Sequence, residues 1–136
     1  MAESGAVPGF TPKVKTVNAQ GQVSIVLSAD QLGASQLLPP LTDITYHSGW
    51  LYITHRQVGA NGWTVGAVSR FNPSDPVGTF QTLLTNLPSS GDHHTDEIAF
   101  DTAGRAYFSL GTATNSSVVG PDNWFITGAD RRHVQR

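Results

Sequence analysis

Glu97-Ile-Ala-Phe-Asp-Thr-Ala-Gly-Arg-Ala-Tyr-Phe-Ser109 carries the pattern that decides the fold. Apolar residues alternate with polar or small residues on both sides of Ala103-Gly104, a turn in which glycine tolerates a positive φ. Alternation with a period of two, in segments that contain aromatic and β-branched residues, is typical of β-strands. The stretch therefore predicts a hairpin with strands near residues 97–101 and 106–110.

An earlier stretch, Asp43-Ile-Thr-Tyr-His-Ser-Gly-Trp-Leu-Tyr-Ile-Thr54, resembles this hairpin. Ile44 precedes its counterpart Ile98 by 54 residues, and Tyr52 precedes Tyr107 by 55. A second pair of segments, which begin at Val14 and Val68, has the same spacing of 54. Repeats of roughly 40–50 residues built from strands indicate the blades of a β-propeller.

The strand patterns predict an all-β chain that forms a β-propeller fragment of about two four-stranded antiparallel blades. Residues 1–136 would form one partial propeller domain. Residues 10–27 would supply the two outer strands of one blade, 43–84 a complete blade, and 97–110 the two inner strands of the next. Residues 28–40 are interpreted as a connection between blades. Because a closed propeller needs at least about four blades, three states are open: a fragment of a longer protein, which we favour, a closed ring of several copies such as a trimer, or a small open sheet protein.

Composition and charge exclude several classes of function. The net charge is −2 with 13% charged residues, so nucleic-acid binding has little support. There is no cysteine, and no apolar run approaches the ~20 residues of a transmembrane helix. The first residues lack the basic and apolar regions of a signal peptide. We therefore expect no nucleic-acid or membrane partner and no cysteine-based metal site.

Blade topology predicts that the long polar loops converge on one side of the molecule. The loops at 28–42, 55–64, 85–96 and 111–125 would share that side, and tight turns would occupy the other. Long loops on a rigid scaffold are where binding and catalysis usually occur. The candidate binding residues on this side are His55, Arg56, Gln57 and Asn115.

The segment from Leu83 to Gly111 resembles the soluble quinoprotein glucose/sorbosone dehydrogenase family, whose members are six-bladed propellers. In that family a Leu-Pro-containing segment leads to Asp-His, a strand begins five residues after the histidine, and a turn, a Tyr-rich strand and a glycine follow. Asp92-His93, Ile98, Tyr107 and Gly111 match these positions. The usual Gly-Pro-Asp-Gly turn is replaced here by Asp101-Thr-Ala-Gly104.

The resemblance implies oxidation of a sugar with pyrroloquinoline quinone and calcium, in a periplasmic or secreted protein. His93 would be the general base, for which a neutral imidazole has a suitable pKa, and Asp92 would orient the loop or contact the ligand. His55, Arg56, Gln57 and Asn115 would bind the sugar. The family's basic residues for the quinone and most calcium ligands would lie on blades outside this chain, so no metal ligand is assigned within it.

Two other functions stay open at this stage. A calcium-dependent lactonase on a related propeller would need acidic and asparagine ligands, for which Asp92, Asp96 and Asn115 are the candidates. A non-catalytic propeller segment would serve as an interaction surface. For each candidate there is also a structural interpretation: His93 could shape its loop through backbone hydrogen bonds, and the residues at 55–57 could be solvated loop residues.

Overall fold

The computed structural model describes residues 1–5, 10–60, 62–89 and 94–111. Within these ranges the chain forms β-strands and a single turn of 3-10 helix at Ala29–Gln31. The strands are β1 (Ala2–Glu3), β2 (Lys13–Val17), β3 (Val23–Ser28), β4 (Leu38–His47), β5 (Trp50–Val58), β6 (Thr64–Phe71), β7 (Gln81–Leu87), β8 (Thr95–Phe100) and β9 (Ala106–Leu110). No helix in this part of the chain is long and apolar enough to cross a membrane.

These strands form three antiparallel sheets, in which each strand pairs with its neighbour in the sequence. The first sheet has the order β1-β2-β3, the second β4-β5-β6-β7, and the third β8-β9. The predicted all-β class with antiparallel pairing is confirmed. None of the three sheets closes on itself.

Two tight turns occur where the sequence predicts them. Ser48 and Gly49 both have positive φ, at 48° and 86°, which suits the two-residue connection between β4 and β5. In the second turn, Asp101 Oδ1 accepts hydrogen bonds from the backbone N–H groups of Ala103 and Arg105 at 2.9 and 2.8 Å. The bond from Arg105 is the main reason that the pKa of the Asp101 carboxyl is lowered. Both turns are therefore stabilised by residues within the turn itself.

A hydrophobic core lies between the first and second sheets. Its buried members come from β2, β3, β5 and β6 and from the segment that leads into and through β4: Val14, Leu27, Leu37, Leu41, Ile53 and Phe71. Burial of a large aliphatic or aromatic side chain contributes about 1.5–3 kcal/mol. The alternation that predicts strands in the sequence therefore also selects the face of β5 that packs on the first sheet.

The third sheet packs on the opposite face of the second, with β8 beside β4 and running in the same direction. Thr42 Oγ1 donates to the carbonyl of Thr95 at 2.5 Å, and Thr45 Oγ1 donates to that of Ile98 at 2.8 Å. Further along, the His47 ring stacks on Phe100 with centroids 4.1 Å apart. The two hydrogen bonds each join residues 53 positions apart, so β4 and β8 run parallel with a constant register.

Several predicted boundaries are wrong, because strands continue into segments interpreted as loops. β4 begins at Leu38, inside the predicted connection 28–40, and passes a bulge before regular pairing resumes at Asp43. β5 continues to Val58, and β8 begins at Thr95. The 28–42 and 55–64 loops are therefore shorter than predicted.

Candidate functional site

His55, Arg56 and Gln57 lie in a strand, which corrects their predicted position in a loop. β5 continues through them because β6 pairs with it along this whole stretch, with Arg56 opposite Gly66 and Gln57 opposite Val65. Successive side chains of a strand point to opposite faces. The three residues therefore do not form one surface.

His55 is a core residue, only 2% exposed. Its Nδ1 lies 2.8 Å from the carbonyl oxygen of Arg56, which can only accept, so Nδ1 carries the proton. Its Nε2 lies 2.7 Å from the hydroxyl of Ser69. Burial lowers the pKa of His55 from 6.5 to about 4, which keeps the ring neutral at pH 7. With both ring nitrogens engaged, His55 stabilises the sheet and offers no atom to a substrate.

Gln57 is also engaged within the second sheet. Its Nε2 donates to Thr85 Oγ1 at 2.6 Å, and its Oε1 accepts from Thr82 Oγ1 at 3.3 Å. These contacts join β5 to β7 across β6. The geometry favours a structural role for this side chain too.

Arg56 lies on the opposite face, toward the third sheet. Thr54, two residues earlier on that face, has its hydroxyl 2.8 Å from that of Thr42, which also donates to the Thr95 carbonyl. Arg56 Nε is buried and has no hydrogen-bond partner among the described residues. Burial lowers the pKa of this guanidinium from its ordinary value. Of the three residues at 55–57, Arg56 alone keeps an unused polar group.

Arg56, Gly66, Ser89 and Thr95 lie at this end of the sheets, and we call them the Gly66 cluster. A Cβ atom added at Gly66 would lie 2.7 Å from Thr95 Oγ1 and 3.2 Å from the carbonyl oxygen of Leu87. Arg56 pairs directly with Gly66, so both face the same side. Ser89 follows Leu87, the β7 partner of Gly66, by two residues. Glycine here allows Thr95 to approach β6.

The predicted catalytic pair Asp92-His93 lies outside the described residues, as does Asn115. The residues that flank the pair are described. His94 Nδ1 donates to the carbonyl of Ser89 at 3.2 Å, and the Gly111 N–H donates to the carbonyl of His94 at 3.0 Å. Ser89 and His94, which flank the predicted pair in the sequence, therefore lie next to each other.

An open cavity of about 360 Å³ adjoins the same end of the sheet. Ser89 forms part of its wall, together with the 52%-exposed Trp63, Thr64, Asn86 and Leu87. An exposed indole beside polar groups can stack on a ring of a ligand. The structure thus brings Arg56, Trp63 and Ser89 to one end of the second sheet.

No set of three His, Cys, Asp or Glu side chains is grouped to hold a metal ion within the ranges that the structure describes. The polar groups of the Gly66 cluster are a cation and two hydroxyls. Their donors can bind an anion or an acceptor oxygen.

Comparison with known proteins gives no relative: no protein-family model, curated protein or solved structure matches this chain.

Sequence reasoning did not single out Gly66, Ser89 or Thr95. A threonine at the start of a strand and a serine after Pro88 are common in β proteins and carry no chemical signal by themselves. The one available signal was Gly66 inside an otherwise regular strand pattern, since a glycine there often marks a close approach of another segment.

Proposed function

We propose that this chain is part of a β-propeller sugar dehydrogenase of the soluble quinoprotein glucose/sorbosone type. The observation that carries the proposal is that Ser89 and His94, the described residues on either side of Asp92 and His93 in the sequence, lie at the sheet end where Arg56 and Trp63 also lie. The parallel arrangement of β4 and β8, with the same sequence offset in both hydrogen bonds, supports the interpretation of the second and third sheets as neighbouring blades.

In this proposal His93 takes the proton of the sugar C1 hydroxyl. Bound quinone would supply the acceptor for the hydride that leaves C1. Asp92 orients the segment or contacts the ligand. Of the residues predicted to bind sugar, Arg56 has an unused donor, whereas the polar atoms of His55 and Gln57 are engaged in the sheet. Asn115 stays a predicted sugar contact.

The described residues do not fit a calcium ion. Calcium takes six to eight oxygen ligands, many of them carboxylates, whereas this end of the sheet presents the cation of Arg56. The proposal therefore assigns calcium and the quinone to other blades of the complete propeller, supplied by a longer chain or by further copies of this one.

The test is a titration of the assembled propeller, either a ring formed by copies of this chain or a longer chain that contains it, with pyrroloquinoline quinone and calcium, followed by D-glucose and a redox dye. We expect the spectrum of bound quinone and dye reduction, lost in His93→Gln and retained in His94→Gln. Stabilisation by calcium without quinone binding would favour the lactonase alternative. An absence of both effects would favour an interaction module and contradict the proposal for this chain.

A further inference from the structure

Three buried polar atoms of the Gly66 cluster lack a hydrogen-bond partner within the described part of the chain: Arg56 Nε, Ser89 Oγ and Thr95 Oγ1. Ser89 is 4% exposed and Thr95 is 2% exposed. A buried polar group without a partner costs about 1–3 kcal/mol, and native proteins contain few of them. Three such atoms at one sheet end indicate that something else bonds to them.

The charge of the cluster determines what that partner is. A guanidinium only donates hydrogen bonds, and each hydroxyl can donate one. Among the described residues, no carboxylate forms an ion pair with Arg56; the ion pairs that occur join Lys15 to Glu3 and Arg105 to Asp101. A half-buried cation with no carboxylate partner, beside two hydroxyls that can also donate, favours an acceptor with negative charge.

We propose that the Gly66 cluster binds the carboxylate group of a small organic acid. The two oxygens of a carboxylate match the planar fork of a guanidinium, and charge-assisted bonds of this kind are the strong ones. The remaining lone pairs accept from the hydroxyls of Ser89 and Thr95.

The cavity beside the cluster has room for the rest of the ligand. Ser89 belongs both to the cluster and to the wall of this cavity of about 360 Å³, so the cavity adjoins the cluster at Ser89. Trp63 on the cavity wall favours a ring-shaped ligand body. A sugar acid combines such a ring with a carboxylate. The inference concerns binding alone, so it stands or falls independently of the proposed dehydrogenase activity.

The test is calorimetric titration of the full chain with D-glucuronate, with neutral D-glucose as the matched probe and with acetate and inorganic phosphate as simple anions. We expect D-glucuronate to bind at least about 10-fold more tightly than D-glucose, since a charge-assisted bond is worth about 1.5–3 kcal/mol. Acetate should bind more tightly than phosphate. Equal affinity for acetate and phosphate, or no binding of any anion, would overturn the assignment.

Two substitutions locate the site. Arg56→Gln should weaken D-glucuronate binding by about 10- to 100-fold, and Thr95→Val should weaken it by about 3- to 10-fold. Arg105→Gln is the control, because Arg105 is paired with Asp101 in the distant β8–β9 turn, and it should leave affinity unchanged. If Arg56→Gln does not fold, Thr95→Val decides, because valine keeps the shape of threonine. Unchanged affinity in the folded variants would contradict the proposal.

Discussion

At the scale of single residues, His55 should make the stability of the chain depend on pH. Its pKa is about 4 in the folded protein and near 6.5 when the chain unfolds. Between these values the unfolded state binds a proton that the folded state does not, so stability falls as pH decreases from about 6.5 to 4. The expected loss is about 3 kcal/mol. Urea denaturation at a series of pH values measures it.

His55→Gln tests the origin of this pH dependence. Glutamine does not titrate. The contribution of His55 to the change of the unfolding free energy with pH should therefore disappear, even though the variant is less stable overall. The matched control is His47→Gln, which removes a histidine stacked on Phe100 at the other end of the sheets and shows the general effect of replacing a histidine by glutamine. If the pH dependence of the unfolding free energy is unchanged in His55→Gln, the pKa of His55 is not lowered by burial in the folded protein.

Gly66→Ala should destabilise the fold, because the added methyl group has no space. It would lie 2.7 Å from Thr95 Oγ1, 3.2 Å from Leu87 Cβ and 3.2 Å from the Leu87 carbonyl oxygen. Overpacking of this kind costs about 1–3 kcal/mol. Thermal or chemical denaturation gives the difference in the free energy of unfolding.

Two further variants separate crowding from a general effect of alanine. Gly33→Ala is the control, since its added Cβ would meet only Gln36, at 3.7 and 3.8 Å, which is ordinary contact distance. Thr95→Ala should reduce the cost of Gly66→Ala when the two are combined, because it removes the closest atom. Strict additivity would mean that Thr95 does not approach Gly66.

His55 also shows where sequence reasoning at this scale is limited. Leu51, Ile53 and His55 continue one alternation, but a histidine followed by arginine and glutamine has the polarity of a loop. The partners that make burial of this histidine acceptable, Ser69 and the carbonyl of Arg56, come from the neighbouring strand and from the backbone. Neither contact leaves a signal in the local pattern.

At the scale of elements, Asp43 should connect β4 to β8. Its Oδ2 accepts a hydrogen bond from the backbone N–H of Ile98 at 2.9 Å. A hydrogen bond to a charged group contributes about 1.5–3 kcal/mol. Asp43→Ala should therefore lower stability by about this amount and accelerate hydrogen exchange of the Ile98 amide, which NMR measures directly.

Asp96→Ala provides the comparison for Asp43→Ala. Asp96 is an exposed carboxylate in β8 itself, and the structure gives it no hydrogen bond or ion pair. Its removal should leave both the stability and the Ile98 amide nearly unchanged. Equal effects of the two substitutions would mean that loss of negative charge, and not the link between strands, is responsible.

Most strands could be predicted from the sequence, and the reason lies in their alternation. The β8–β9 hairpin and the β4–β5 hairpin each have a regular apolar period and a glycine turn. The start of β4 could not be predicted, because Pro39 and Pro40 lack backbone donors and are usually confined to irregular or edge positions. Here they lie in the bulged stretch before Asp43, where the regular ladder with β5 has not yet begun.

At the scale of the whole molecule, the outer faces of the first and third sheets are open. On these faces the first sheet exposes Val17, Val23 and Ile25, and the third exposes Tyr107. In the proposed propeller each of these faces would pack on a neighbouring blade. Three copies with about two blades each would supply the six blades of a closed ring with cyclic symmetry.

Light scattering on a sizing column should therefore give a mass of three times the 14.5 kDa chain. Val23→Glu should reduce the mass to that of a single chain, because it places a charge on the open face of the first sheet, where Val23 is 56% exposed. Val77→Glu is the matched control in the β6–β7 turn, where Val77 is 44% exposed, and it should leave the trimer intact. If the unsubstituted chain is a monomer, the open faces belong to a longer chain whose other blades cover them. A trimer that survives Val23→Glu would mean that the copies associate through a different surface.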